Sequence, residues 1–187
     1  SYNNKINDFI EPVWILDPID GTANFSRNLG PFTISLALIF KGKIIFGIIA
    51  NSIDNKIYWG GKKIGAFCNN NKIEVSGINK INKSIICTGF PTNLTKNMIN
   101  KKKFLDILFA FSKVRMFGAA SFSLLQVARG AADVYYEKNI KIWDVAAGIG
   151  IVEGAKGKVS KLNMFKKNSL EILALNKKLK LNLKDFN

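Results

Sequence analysis

The stretch from Pro31 to Ala50 does most to limit what this chain can become. It is strongly apolar, yet Lys41-Gly42-Lys43 breaks it in the middle. The break leaves two β-rich runs of strand length, Phe32–Phe40 and Ile44–Asn51, around a glycine-centred turn, which predicts an antiparallel hairpin. A membrane helix needs about 20 unbroken apolar residues. The same break therefore argues against a transmembrane span, and no signal peptide precedes it.

Other strands gather around this hairpin. Val13–Leu16 is a short apolar run that ends at Asp17-Pro18, and a proline there predicts the end of regular pairing, with Asp17 at a strand end. Lys56–Trp59 and Lys72–Val75 predict further strands. The first 75 or so residues thus read as mainly antiparallel sheet. The pattern then changes. Strands at Ser84–Thr88, Val114–Phe117, Val134–Tyr136, Lys158–Ser160 and Glu171–Ala174 alternate with helical faces at Asn97–Ser112, Ser121–Ala128 and Trp143–Glu153. Gly89-Phe90-Pro91 acts as a breaker, and a last helix is expected from Asn176. Strand–helix alternation predicts an α/β lobe following the β-rich one, with the boundary near residue 80.

Composition narrows the chemistry. The 187 residues contain no histidine, which excludes Ser-His-Asp and Cys-His catalysis and every imidazole-bound zinc site. Cys68 and Cys87 show no CxxC spacing, so a reducing, cytoplasmic setting is expected and both read as thiols without a catalytic role. The net charge of +15 permits nucleic acid or anionic substrates as partners. It is carried almost wholly by lysine, with arginine only at Arg27, Arg115 and Arg129, and Ile and Asn are also abundant. Arginine is the residue favoured for bidentate phosphate and base recognition, so a solvated lysine surface is preferred over a nucleic-acid patch.

Carboxylates, hydroxyls and backbone amides remain as tools. Asp17-Pro18-Ile19-Asp20-Gly21-Thr22 sets two carboxylates three residues apart across a proline, with the Ile19 carbonyl between them. Hard divalent cations favour such oxygen donors. Gly21 and Thr22 follow, where a glycine and a helix start would present unpaired amides to a phosphate. The plainer role is an Asx-turn with Asp17 capping the next segment. A second piece, Trp143-Asp144-Val145-Ala146-Ala147-Gly148, places Asp144 just before a small-residue helix, where an N-cap is its plainer role. Glu137 lies at a strand end, with a surface ion pair as the alternative. Phe117-Gly118-Ala119-Ala120-Ser121 is a small-residue turn leaving room for a ligand or for close packing.

Asp17–Thr22, preceded by Trp14-Ile15-Leu16 and followed by Asn24-Phe25 and Pro31-Phe32, resembles the first signature of the inositol monophosphatase family. Trp143–Gly148 resembles the second signature, and Thr88–Pro91 and Phe117–Ser121 look like bacterial members. The resemblance implies a layered α/β sugar-phosphatase fold, usually dimeric, and a lithium-sensitive phosphomonoesterase dependent on Mg²⁺. Two or three Mg²⁺ sites are implied for a complete enzyme. By motif match, Asp17, the Ile19 carbonyl, Asp20 and Asp144 would bind metal, Gly21 and Thr22 would bind phosphate, and the Thr22 hydroxyl would orient the attacking water. Asp20, Gly118, Ala120 and Glu137 would line the pocket for the alcohol part of the substrate. Residues 1–80 would then be the metal and phosphate lobe, and 81–187 the substrate lobe. The expected substrate is inositol monophosphate or a related small sugar or polyol phosphate; fructose-bisphosphatase or nucleotide-bisphosphate phosphatase activity are alternatives within the fold. The family's upstream Gly-Glu-Glu is absent: Asp8 and Glu11 are the only acids before Asp17, and the N-terminal helices are missing. That implies either a piece of a longer enzyme or a shortened homologue with an impaired site. It also implies an uncovered apolar sheet face, and it motivates an alternative as a basic nucleic-acid- or protein-binding module.

Overall fold

A computed structural model describes residues 11–89, 98–163 and 169–186. Asp8, Phe90, Pro91 and Asn97 lie outside the described residues. The first sheet has six strands in simple meander order: β1 (Val13–Asp20), β2 (Thr33–Phe40), β3 (Lys43–Asn51), β4 (Lys56–Gly61), β5 (Gly65–Cys68) and β6 (Asn71–Lys72). All neighbours pair antiparallel. The hairpin turns at Lys41 and Gly42, both at positive φ.

The second sheet holds β7 (Ile85–Thr88), β8 (Lys113–Arg115), β9 (Val134–Lys141), β10 (Lys158–Asn163) and β11 (Ser169–Leu175), in the order β10-β11-β9-β7-β8. Its β7–β8 and β7–β9 pairs are parallel and its β9–β11 and β10–β11 pairs antiparallel. Helices α2 (Met98–Phe109), α3 (Ala120–Ala128) and α4 (Ile142–Gly154) separate its strands, and a short α1 (Thr22–Phe25) follows β1. The chain is therefore an antiparallel-sheet lobe followed by an α/β lobe, as the periodicity predicts.

Helices α3 and α4 fill the space between the sheets. One core joins Ala37, Ile39 and Ile49 of the first sheet to Leu124, Leu125, Val145 and Ile151 of the helices and to Tyr135 and Ile172 of the second sheet. The approach of α4 to β3 is so close that a Cβ on Gly47 would stand 2.2 Å from the Ala147 carbonyl oxygen. A second core on the far face of the β7–β9–β11 sheet packs Phe104 and Leu108 of α2 with Tyr136, Leu173 and Phe186.

The outer face of the six-stranded sheet is apolar and uncovered by described residues. Trp14, Leu16 and Ile34 are each more than half exposed, at 54%, 56% and 52%, with Phe40 and Ile57 on the same face.

Several boundaries differ from expectation. β1 does not end at Leu16 but runs through Pro18 to Asp20. The strand expected at Lys72–Val75 pairs only at Asn71–Lys72, while Val75 instead donates its amide to the Ala155 carbonyl. Among the described residues no regular helix follows Asn176; a 3₁₀ turn, Leu183–Phe186, forms there. The reason is local: the Asn176 side chain accepts the Lys178 and Leu179 amides and donates to Ser76 and Ile78, which holds the chain in a turn. Cys68 and Cys87 are both free thiols, and burial pushes the Cys87 thiol up to about 12.

Candidate functional site

Residues i and i+3 of a regular strand face opposite sides. Asp17 and Asp20 nevertheless are both buried. The β1–β2 register explains it: Asp17 pairs with Ser35 and Asp20 with Thr33, so three steps on β1 oppose two on β2. The extra residue bulges the strand and re-aims Asp20. A proline is tolerated there because pairing is interrupted. The Asx-turn is also present, since the Ile19 amide donates to Asp17 Oδ1 at 3.0 Å.

Asp144 reaches the same place from the other half of the chain. It is not the N-cap expected from sequence. Helix α4 begins at Ile142 with Lys141 as N-cap, and Asp144 occupies the third helical position, accepting the Lys141 amide at 3.3 Å. The helix start is held against β2 by the Ser35 hydroxyl, which donates to the Trp143 carbonyl at 3.3 Å. Ser35 is the cross-strand partner of Asp17, so this bond sets Asp144 opposite Asp17. One carboxylate oxygen from each of Asp17, Asp20 and Asp144 lies within 4.8 Å of the other two.

Three carboxylates so placed strain one another electrostatically. Burial, then the charges of Asp20 and Asp17, pushes Asp144 up to about 7. Asp20 is raised as well, chiefly by burial, against the lowering effect of bonds from Ser121 and Ala120. Those bonds come from the start of α3, whose N-cap, Ala119, offers no capping side chain. Asp20 therefore caps α3 from another strand, accepting the Ala120 and Ser121 amides. An oxygen-only donor set that resists sharing charge fits a hard divalent cation, which would relieve the repulsion.

The remaining expected residues surround this cluster. Gly21 has φ 88° and ψ 37°, a left-handed conformation that favours glycine, and it turns the chain from β1 into α1. The Thr22 hydroxyl donates to the Ile19 carbonyl at 3.3 Å. Ala120 opens α3 and donates its amide to Asp20 at 3.3 Å, and Gly118, at φ 70°, lies in the turn before it beside Asn24. Glu137 on β9 is raised by burial and by the charge of Asp20, while the Tyr135 hydroxyl donates to it at 2.8 Å. Its carboxylate occupies the space beside Gly89, where a Cβ would stand 2.3 Å away. Burial also raises Tyr135 well above its ordinary value.

Several residues of the site are not marked by the sequence. Asn24 donates one side-chain amide to both the Pro31 and the Phe117 carbonyls at 2.8 Å, joining α1 to the turns before β2 and α3. Ser121, Thr33 and Ser35 likewise act through partners distant in sequence. Asn24 sits inside the first motif and Ser121 at the end of the Phe117–Ser121 turn, and those were the available signals.

Residues 5–180 match the model of the inositol monophosphatase family. Among curated proteins, inositol monophosphatase 1 of Xenopus laevis is 36% identical over 154 residues, covering 79% of this chain and 53% of that protein. The Nus factor SuhB of Xylella fastidiosa is 34% identical over 148 residues, covering 79% of this chain and 54% of that one. The chain thus spans about half the length of the curated relatives it matches. Among solved structures, an inositol monophosphatase from Anabaena superposes with a TM-score of 0.81 at 31% identity, covering 92% of this chain and 69% of that one. The extragenic suppressor protein suhB of Bartonella henselae gives 0.81 at 34% identity, covering 90% and 66%. Matched across nearly its whole length in sequence and in fold, the chain belongs to the inositol monophosphatase family.

Proposed function

We propose that this chain carries the Asp-rich metal and phosphate site of a phosphomonoesterase that hydrolyses inositol monophosphate or a related small sugar or polyol phosphate with Mg²⁺ as cofactor. The observation that carries the reading is the meeting of Asp17, Asp20 and Asp144 within 4.8 Å, from segments more than a hundred residues apart. When bound, Mg²⁺ supplies charge neutralisation at the phosphoryl oxygens and lowers the pKa of a coordinated water. Asp17, Asp20, Asp144 and the Ile19 carbonyl would hold it. Gly21 and Thr22 offer backbone amides to the phosphate, and the Thr22 hydroxyl orients the attacking water. Glu137, held by Tyr135, contacts a hydroxyl of the alcohol part, with Gly118 and Ala120 giving it room. No step requires a histidine, in keeping with their absence from the chain.

The test is phosphate release from a panel of small phosphomonoesters, inositol 1-phosphate and fructose 1,6-bisphosphate included, with and without Mg²⁺. Mg²⁺-dependent turnover that Asp17→Asn abolishes supports the reading. A chain that turns over nothing on the panel refutes it. A second reading, a basic binding module, draws on the +15 charge. It predicts retention of RNA or DNA that falls steeply as salt rises, and a flat salt response dismisses it.

A further inference from the structure

Asp20 receives its donors unevenly. Oδ2 accepts both the Ser121 amide, at 2.7 Å, and the Ser121 hydroxyl, at 2.5 Å. Oδ1 accepts the Ala120 amide at a longer 3.3 Å. The Ser121 hydroxyl is also hydrogen-bonded to the Thr33 hydroxyl. A hydroxyl has one proton to give. Ser121 gives its proton to Asp20, so Thr33 must be the donor in the second bond. The result is a chain of fixed direction, from Thr33 Oγ1 to Ser121 Oγ to Asp20 Oδ2, in which each bond polarises the next.

The chain lies wholly inside the protein. Ser121 is 0% exposed and Thr33 is 1%. Its three members come from three elements: β1, β2 and the first turn of α3. Thr33 is also the cross-strand partner of Asp20, at the end of the β1 bulge. A bulged backbone holds a side chain less firmly than a regular ladder, and the hydroxyl chain replaces that constraint at the carboxylate itself.

We propose that Ser121 and Thr33 are positioning residues for Asp20. By occupying Oδ2 they lock the carboxylate rotamer and leave Oδ1 as the oxygen turned toward Asp17 and Asp144 for a divalent cation. Outer partners of this kind orient a ligating carboxylate and tune its affinity. The inference rests on the reading of the Asp cluster as a cation site.

Mn²⁺ binding to the 187-residue chain, measured by calorimetry and by electron paramagnetic resonance, tests it. Ser121→Ala is expected to weaken Mn²⁺ binding about tenfold, and Thr33→Val roughly threefold because it acts one bond further out. Thr33→Ser restores the hydroxyl and returns affinity to within about twofold of wild type. The double variant S121A/T33V binds no more weakly than Ser121→Ala alone, since Thr33 works through Ser121. Unchanged affinity in Thr33→Val, additive losses in the double variant, or a Thr33→Ser as weak as Thr33→Val each overturn the proposal. Should Ser121→Ala fail to fold, the Thr33→Val and Thr33→Ser pair decides alone. A wild-type chain that binds no Mn²⁺ overturns the cation site and this inference together; wild-type binding with unaffected variants overturns this inference only.

Discussion

Asp144→Asn should stabilise the metal-free protein at neutral pH while abolishing its stabilisation by metal. Asp144 is pushed up to about 7, first by burial and then by Asp20 and Asp17. A carboxyl moved that far from its ordinary range carries up to ~4 kcal/mol. Asp144 is only partly buried, and screening by water reduces the expected figure to about 1–3 kcal/mol. The sign follows from linkage. A raised folded-state pKa means that the fold prefers the neutral acid, so stability is fully present below the unfolded value near 4 and is lost as pH rises toward 7. Asparagine is neutral throughout and keeps an oxygen able to accept the Lys141 amide.

Urea denaturation in EDTA between pH 4 and 8 reads this directly. The two proteins should coincide near pH 4, and the variant should be the more stable by about 1–3 kcal/mol at pH 8. Adding Mn²⁺ at a hundred times its dissociation constant should stabilise wild type by ~2.7 kcal/mol and the variant by far less. The reasoning is refuted if the variant is no more stable than wild type at pH 8 in EDTA, or if any offset is the same at pH 4. Either result would mean that the three carboxylates do not share a desolvated space.

Gly47→Ala would drive a methyl group into the backbone of Ala147, so a loss of about 3 kcal/mol or more is expected by urea denaturation. Tyr135→Phe removes the 2.8 Å bond to Glu137, a loss of about 1–2 kcal/mol of substrate binding, seen in steady-state kinetics as a raised KM with a smaller change in kcat. Asp133→Ala strips partners from the Ile85 amide, Ser76 and Asn176 in one buried network, and a cost of about 3–5 kcal/mol is expected from thermal or urea unfolding.

How much of this was legible depended on range along the chain. The Lys41-Gly42-Lys43 hairpin and the helices at 120–128 and 142–154 carry their own local signals, of period two or 3.6 with glycine at the ends, and they appear within a residue or so of expectation. The helix expected after Asn176 had no periodic support, since Leu179, Leu181 and Leu183 recur at every second residue. Asn176 commits the backbone to a turn through partners about a hundred residues away, and no local pattern encodes that. Asp17, Asp20 and Asp144 stood out because two short motifs hold them. Asp144's capping position was misplaced by the N-terminal extension of α4 to Ile142. Thr33 and the Ser121 hydroxyl were illegible for a different reason: Thr33 is a small polar residue in an apolar run, Ser121 was noted only as the end of a small-residue turn, and their roles come from partners 88 and 101 residues away.

β2 explains why an α/β lobe so late in the sequence can complete a site begun at residue 17. Its inward positions alternate, and two of them carry hydroxyls in place of apolar groups, Thr33 and Ser35. Ser35 binds the first turn of α4 and Thr33 the first turn of α3. The bulge in β1 brings Asp17 and Asp20 opposite those same two residues. One strand thus sets the spacing of two helix starts and of two carboxylates at once. A regular β1 would keep Asp17 inward and turn Asp20 to the outer face among Trp14, Leu16 and Ile34, leaving α3 without its cap. The bulge that misaligns the ladder is therefore what lets a single buried point gather acids from both halves of the chain.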